Sequence, residues 1–250
     1  MSADVTVDLT AWLGQTQIEL DACLADLAQV CSAAEKQSYA DNLASHRFGI
    51  TRLVLEHAHS LGANASERAE RTCFLTAIGK FISFLDKLIA SQRIAKQGIV
   101  VTRNIAGQAD LDAYLNEYMK EQIAKVAWDT SLSNPKKIDA ITGIELTARA
   151  IALEYFQLRR VLEHHQDTPA TDLNIPIRRV ALFVDNIEIT RLPHPISGGQ
   201  LVEMRIITDN RKFPAGVKLV ISPQDAHDLV FTMRHVLAPE IFRAHVAASC

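Results

Sequence analysis

Apolar residues recur at three- and four-residue spacing through the first two-thirds of the chain, with few glycines to interrupt them, and beyond Gln166 that period stops. A chain patterned in this way folds as long helices that bury one stripe each, followed by something different. The spacing predicts helices over about Asp8 to Ser32, Ala34 to Leu61, Ala65 to Gln97, Leu111 to Trp128 and Asn134 to His165. Gly62 and Asn64 punctuate the second and third, with Asn64 as cap and Glu67 as its capping-box partner. Asp110 is placed to cap the fourth helix, and Asn134 the fifth, with Pro135 in its first turn. Gly98 to Arg103 is a short β-prone stretch.

The second part begins after Asp167-Thr-Pro and Asn174-Ile-Pro, which read as a linker over 167–176. Ile177 to Asp185, Leu201 to Thr208 and Val217 to Ile221 are rich in β-branched residues and alternate as strands do. Ser222 followed by Pro223 opens a helix to about Leu237, and Pro239 opens a last short one. The expected fold class is therefore α+β, predominantly α. A bundle of about five long helices (1–166) precedes a small β-β-β-α-α module (177–250).

Composition narrows the function classes. With 26 basic and 29 acidic residues the formal charge is -3, which gives no overall attraction for nucleic acid or an anionic membrane, although a local basic patch can still supply one. No apolar run approaches the roughly 20 residues of a membrane span. Asp4 and Asp8 stand where a secretory leader needs a basic start, so a cytoplasmic protein is expected. Cys23, Cys31, Cys73 and Cys250 show no two-residue spacing of a zinc or redox motif and read as reduced thiols. Glu56-His-Ala-His59 has the Glu-x-x-His spacing of di-iron bundles, but its counterpart Glu163-His-His-Gln166 ends in glutamine. No metal and no cofactor are expected.

The chemistry-bearing residues gather at the end of the fifth helix, in Leu158-Arg-Arg-Val-Leu-Glu-His-His165. A turn of about 100° per residue puts Ile144, Ile151, Tyr155, Leu158 and Leu162 on one stripe, the core face. Leu146, Leu153 and Phe156 fall on the roughly opposite side with Arg149, and Arg160 and His164 continue that stripe. This mixed stripe is a candidate interface, for a second copy or another protein. Arg159 and Glu163, four apart, can instead form a plain surface ion pair.

Arg159 to His164 and Arg160 to His165 each satisfy an Arg-x4-6-His spacing near the end of a late helix. The succession resembles the HEPN superfamily (higher eukaryotes and prokaryotes nucleotide-binding), over the helical part of the chain. The resemblance implies a metal-independent ribonuclease, in defence or as a toxin, working as a homodimer on RNA. Arg159 or Arg160 would then neutralise the scissile phosphate while His164 or His165 moves the proton. In that family a small polar residue usually follows the motif arginine, where this chain has Arg160, and a glycine often stands just beyond the histidine, where this chain has none. Arg178 and Arg179, on the first strand, are candidates to extend the binding face, although alternation puts one of them on the other side. His194, between two prolines in the loop before Gly198 and Gly199, is a candidate flap residue. The other class that fits is a non-catalytic binding or assembly protein built on the mixed stripe. Loss of both histidines distinguishes the two.

Overall fold

The computed structural model describes residues 9–47, 52–99, 105–164, 168–184, 186–188 and 202–249, and their side chains apart from those of 31–68, 164 and 249. Two helices dominate it: α1 (Leu9–Arg47) and α2 (Arg52–Gln97). They run antiparallel, because Glu19 meets Lys80 at 3.6 Å while Cys73 Sγ donates to the carbonyl oxygen of Cys23 at 3.3 Å. The breaks expected near Ser32 and at Gly62 to Asn64 do not occur; both helices continue through them. A single glycine costs a helix only about 1 kcal/mol, and neighbouring helical turns outweigh it.

Helix α3 (Gln108–Ala127) starts after Gly107 rather than at Asp110, although Asp110 still accepts from the backbone N–H of Ala106 at 3.2 Å. The long fifth helix expected from Asn134 is divided. Helix α4 (Asn134–Ala140) ends in a turn, and α5 (Leu146–His164) starts afresh. Gly143 supplies the reason, since its φ of +82° is a left-handed conformation that stops a right-handed helix.

Among the described residues the sheet has three antiparallel strands in the order β2-β1-β3. Strand β1 (Leu173–Val184) begins inside the expected linker, and β3 (Val202–Phe213) runs past the expected end at Thr208. They pair without a bulge from Leu173 opposite Phe213 to Val184 opposite Val202. Strand β2 (Ile187–Glu188) returns through Asn186, whose φ is +65°. Val217 to Ile221 is not a strand. Its alternation is real, with Leu219 and Ile221 buried and Val220 exposed, but it records one-sided burial without ladder pairing.

Ser222 caps α6 (Pro223–Thr232) in a reciprocal box with Asp225, as Ser-Pro suggests. The expected gap before Pro239 is a π turn, Met233–Leu237, that leads directly into α7 (Ala238–Ser249). Proline has no N–H to give the preceding turn, and the wider turn accommodates it. The architecture is thus α+β and predominantly α.

The edge of β1 away from β3 is met by helices. The N–H of Arg178 donates to Glu154 at 3.1 Å, the N–H of Val180 donates to Thr232 at 2.7 Å, and the Tyr155 hydroxyl donates to the carbonyl of Arg178 at 2.9 Å. These bonds satisfy backbone groups that a strand would otherwise have to pair. One apolar core includes Phe74 and Leu85 of α2, Tyr155 and Leu158 of α5, Ile175 of β1, and Leu229 and Ile241 of the last helices. Among the described residues no helix is long and apolar enough to cross a membrane.

Candidate functional site

The core stripe of α5 is where the spacing puts it: Ile151, Tyr155, Leu158 and Leu162 are all buried, and the Tyr155 ring meets Phe74 edge-on at 6.3 Å. The stripe fixes the rotation of the helix, and the rotation decides what its last turns present. Arg71 of α2 reaches across to donate from Nη2 to the carbonyl oxygen of Leu162 at 2.6 Å. A cation on a last-turn carbonyl favours the helix end electrostatically. Lying 91 residues away in sequence, Arg71 carries no signal from which this role is legible.

Beside that end lies a groove of about 710 Å³ between the start of α4, at Ser133, Asn134 and Pro135, and the outer side of α5. Arg159, Arg160 and Glu163 border it, with Leu153, Phe156 and Gln157 along it. Arg159 Nε lies 2.8 Å from Glu163 Oε2, so the first motif arginine carries its own counter-charge. Arg160 is exposed and has no ion pair among the described residues. The side chain of His164 and the whole of His165 lie outside what the structure describes, as do His194 and the side chains of Glu56 and His59.

The candidate interface residues separate. Leu146 is 81% exposed, Leu153 is half-buried in the groove wall, and Phe156 is 6% exposed, its ring 6.3 Å from that of Phe81. Phe156 therefore belongs to the core of its own chain. Arg149 is answered internally, with Nη2 at 2.6 Å from Asp139 Oδ1, so that stripe asks no acid of a partner.

Arg178 and Arg179 are committed elsewhere. Arg178 pairs with Glu154, whose carboxyl burial pushes up and the arginine pulls part of the way back. Arg179 is 9% exposed among three carboxylates: Glu188 at 2.8 Å, Asp209 at 2.9 Å and Asp228, which it contacts directly. Burial opposes its charge, but the hydrogen bonds to Asp209 and Glu188, with the field of Asp228, hold the guanidinium pKa above its ordinary value. It ties the sheet to α6 and is not exposed to a ligand. Two of the three acids, Asp209 and Asp228, lie 30 and 49 residues away in sequence, which is why two adjacent arginines look available when read along the chain.

Among the described residues the groove thus offers one cation without an ion pair, Arg160, with amide and hydroxyl donors on Gln157, Asn134 and Ser133 and an apolar wall at Leu153. It can take an oxyanion with an apolar or aromatic group beside it. Among the described residues, no group of three or more histidine, cysteine or acidic side chains is arranged to hold a metal. Comparison with protein-family models, with curated proteins and with solved structures finds no match.

Proposed function

We propose that the groove at the end of α5 binds a phosphate of RNA, and that the chain is a HEPN-like, metal-independent ribonuclease. One observation carries this. Of the four arginines in question, Arg160 alone lacks an acidic partner among the described residues, and it borders a groove large enough for a nucleotide, four residues before His164 on the same helix. A guanidinium there neutralises a phosphate, and an imidazole one turn on is of the type that moves the proton of a 2′-hydroxyl or a leaving oxygen.

The test is cleavage of labelled single-stranded RNA in excess chelator. Wild type should cut, and His164→Ala with His165→Ala should lose about 100-fold or more, the usual size of a general acid-base contribution. Arg160→Ala should weaken RNA binding. Full cleavage by the double-histidine variant would overturn the assignment.

The Arg159–Glu163 ion pair favours a second reading, a non-catalytic assembly protein, because it neutralises the motif arginine. In that case Leu146→Asp with Leu153→Asp releases a partner, while loss of both histidines changes nothing.

A further inference from the structure

We propose that two copies of this chain join edge to edge through β3, in an antiparallel register centred on Ile207. The proposal does not depend on the nuclease reading. The N–H groups of Arg178 and Val180 are spent on Glu154 and Thr232, away from β3. By the alternation of an antiparallel ladder, Arg179 and Ala181 are the β1 residues that bond β3, through their partners Ile207 and Arg205. The even-numbered residues Met204, Ile206, Thr208 and Asn210 therefore turn their N–H and C=O groups to the other side. Among the described residues no strand lies there.

Natural sheets usually blunt such an edge with a short strand, a proline, a bulge or charged side chains. β3 is 12 residues long, contains no proline and pairs in unbroken register, and its charges, Glu203, Arg205, Asp209, Arg211 and Lys212, are of both signs. Its exposed face instead carries apolar side chains, with Met204 59% and Ile206 47% exposed.

The occupant is identified by charge. The other face of β3 reads Glu203, Arg205, Ile207, Asp209, Arg211. About Ile207 this order is antisymmetric, so a two-fold axis there sets Glu203 against Arg211 and Arg205 against Asp209 of the second copy. Nearly the whole strand overlaps, with Val202 opposite Lys212. Even-numbered residues then meet even-numbered residues, as their outward backbone groups require. Moving the centre to Thr208 opposes Arg205 to Arg211, and moving it to Ile206 opposes Glu203 to Asp209, both like-charged pairs that destabilise. Each of these side chains already has a partner in its own chain, Asn186 and Glu203 for Arg205, Arg179 for Asp209 and Asp225 for Arg211, so charge across the axis selects the register by excluding like-charged alternatives and adds little attraction of its own. On the exposed face Ile206 becomes a diagonal neighbour of Ile206 in the second copy. Such self-matching is what an isologous two-fold interface needs.

Sedimentation of the full chain should give twice the monomer mass. Ile207→Cys should form a disulfide-linked dimer on mild oxidation, since residues facing themselves across this register fall within disulfide reach, and oxidised wild type controls for the native cysteines. Ile206→Pro, whose N–H faces away from β1, should halve the mass while keeping the helical circular dichroism. If Ile207→Cys loses that circular dichroism, Ile206→Cys with Thr208→Cys, opposite one another in this register, takes its place. A wild-type monomer overturns the proposal, and so does a dimer that folded cysteine variants fail to cross-link.

Discussion

Lys137 Nζ lies 2.6 Å from Asp86 Oδ1, and the two side chains are only 5% and 7% exposed. This pair ties α4 to α2 at a place where neither charge has water. Burial raises the Asp86 carboxyl by more than Lys137 lowers it, so the charged pair is held against a net desolvation cost. Removing one partner, by Asp86→Ala or Lys137→Ala, should cost about 3–5 kcal/mol in urea unfolding. Asp86→Leu with Lys137→Met should cost far less than either. A double variant as unstable as the singles would show that the pair contributes more than mutual neutralisation.

The mixed stripe of α5 should divide in the same assay. Phe156→Ala empties a ring-sized volume beside Phe81 and should cost about 3–5 kcal/mol. Leu146→Asp changes an exposed position and should stay within about 0.5 kcal/mol. Equal effects would mean that Leu146 is covered in solution.

Features set by neighbours in the chain are legible along it, and features set by distant residues are not. Ser222-Pro223 announces its helix because cap and first turn are adjacent in the chain, and the core stripe of α5 follows from period alone. Gly62 and Asn64 look like a break because propensity is all that a single strand of text offers, while the helical turns on either side outweigh it. Gly143 is the converse, a glycine inside a strong helical pattern whose backbone takes the left-handed region. At the candidate site the clustering of Arg159 and Arg160 near the end of one helix is legible, whereas the groove beside them, Arg71 and the acids around Arg179 are not. Those partners are brought in by the fold.

Gly143→Ala tests that turn directly. A Cβ there meets nothing within 4 Å, so the penalty is purely conformational, about 1–2 kcal/mol for a side chain at positive φ. Gly143→Asn should cost less, since asparagine tolerates this region. The difference in thermal midpoint measures it.

His245 supplies a pH dependence. The Ser91 hydroxyl donates to the Leu88 carbonyl at 2.8 Å, so in its 3.1 Å contact with His245 Nε2 the imidazole is the donor. Burial holds the His245 pKa below its ordinary value. Burial, with the charge of Arg234, does the same for His235. The unfolded chain therefore binds these protons first, and stability that is complete above about pH 6.5 is lost as pH falls from there toward the folded values. His245→Gln should flatten the fall in melting temperature between pH 7 and 5.

Glu163 controls the charge of the groove. If the groove binds RNA as proposed, Glu163→Gln removes the counter-ion of Arg159 and should tighten that binding several-fold, with a steeper salt dependence, because a further cation becomes available to phosphate. Binding unchanged in filter assays would count against the groove as an RNA site.

The apolar core passes without a break from α2 through α5 into β1 and α6, so these elements should unfold together. Heating should give a single calorimetric transition whose van't Hoff and measured enthalpies agree. A fragment cut after residue 166 would carry Tyr155 and Leu158 without Ile175 and Leu229 to cover them, and should be recovered as aggregate.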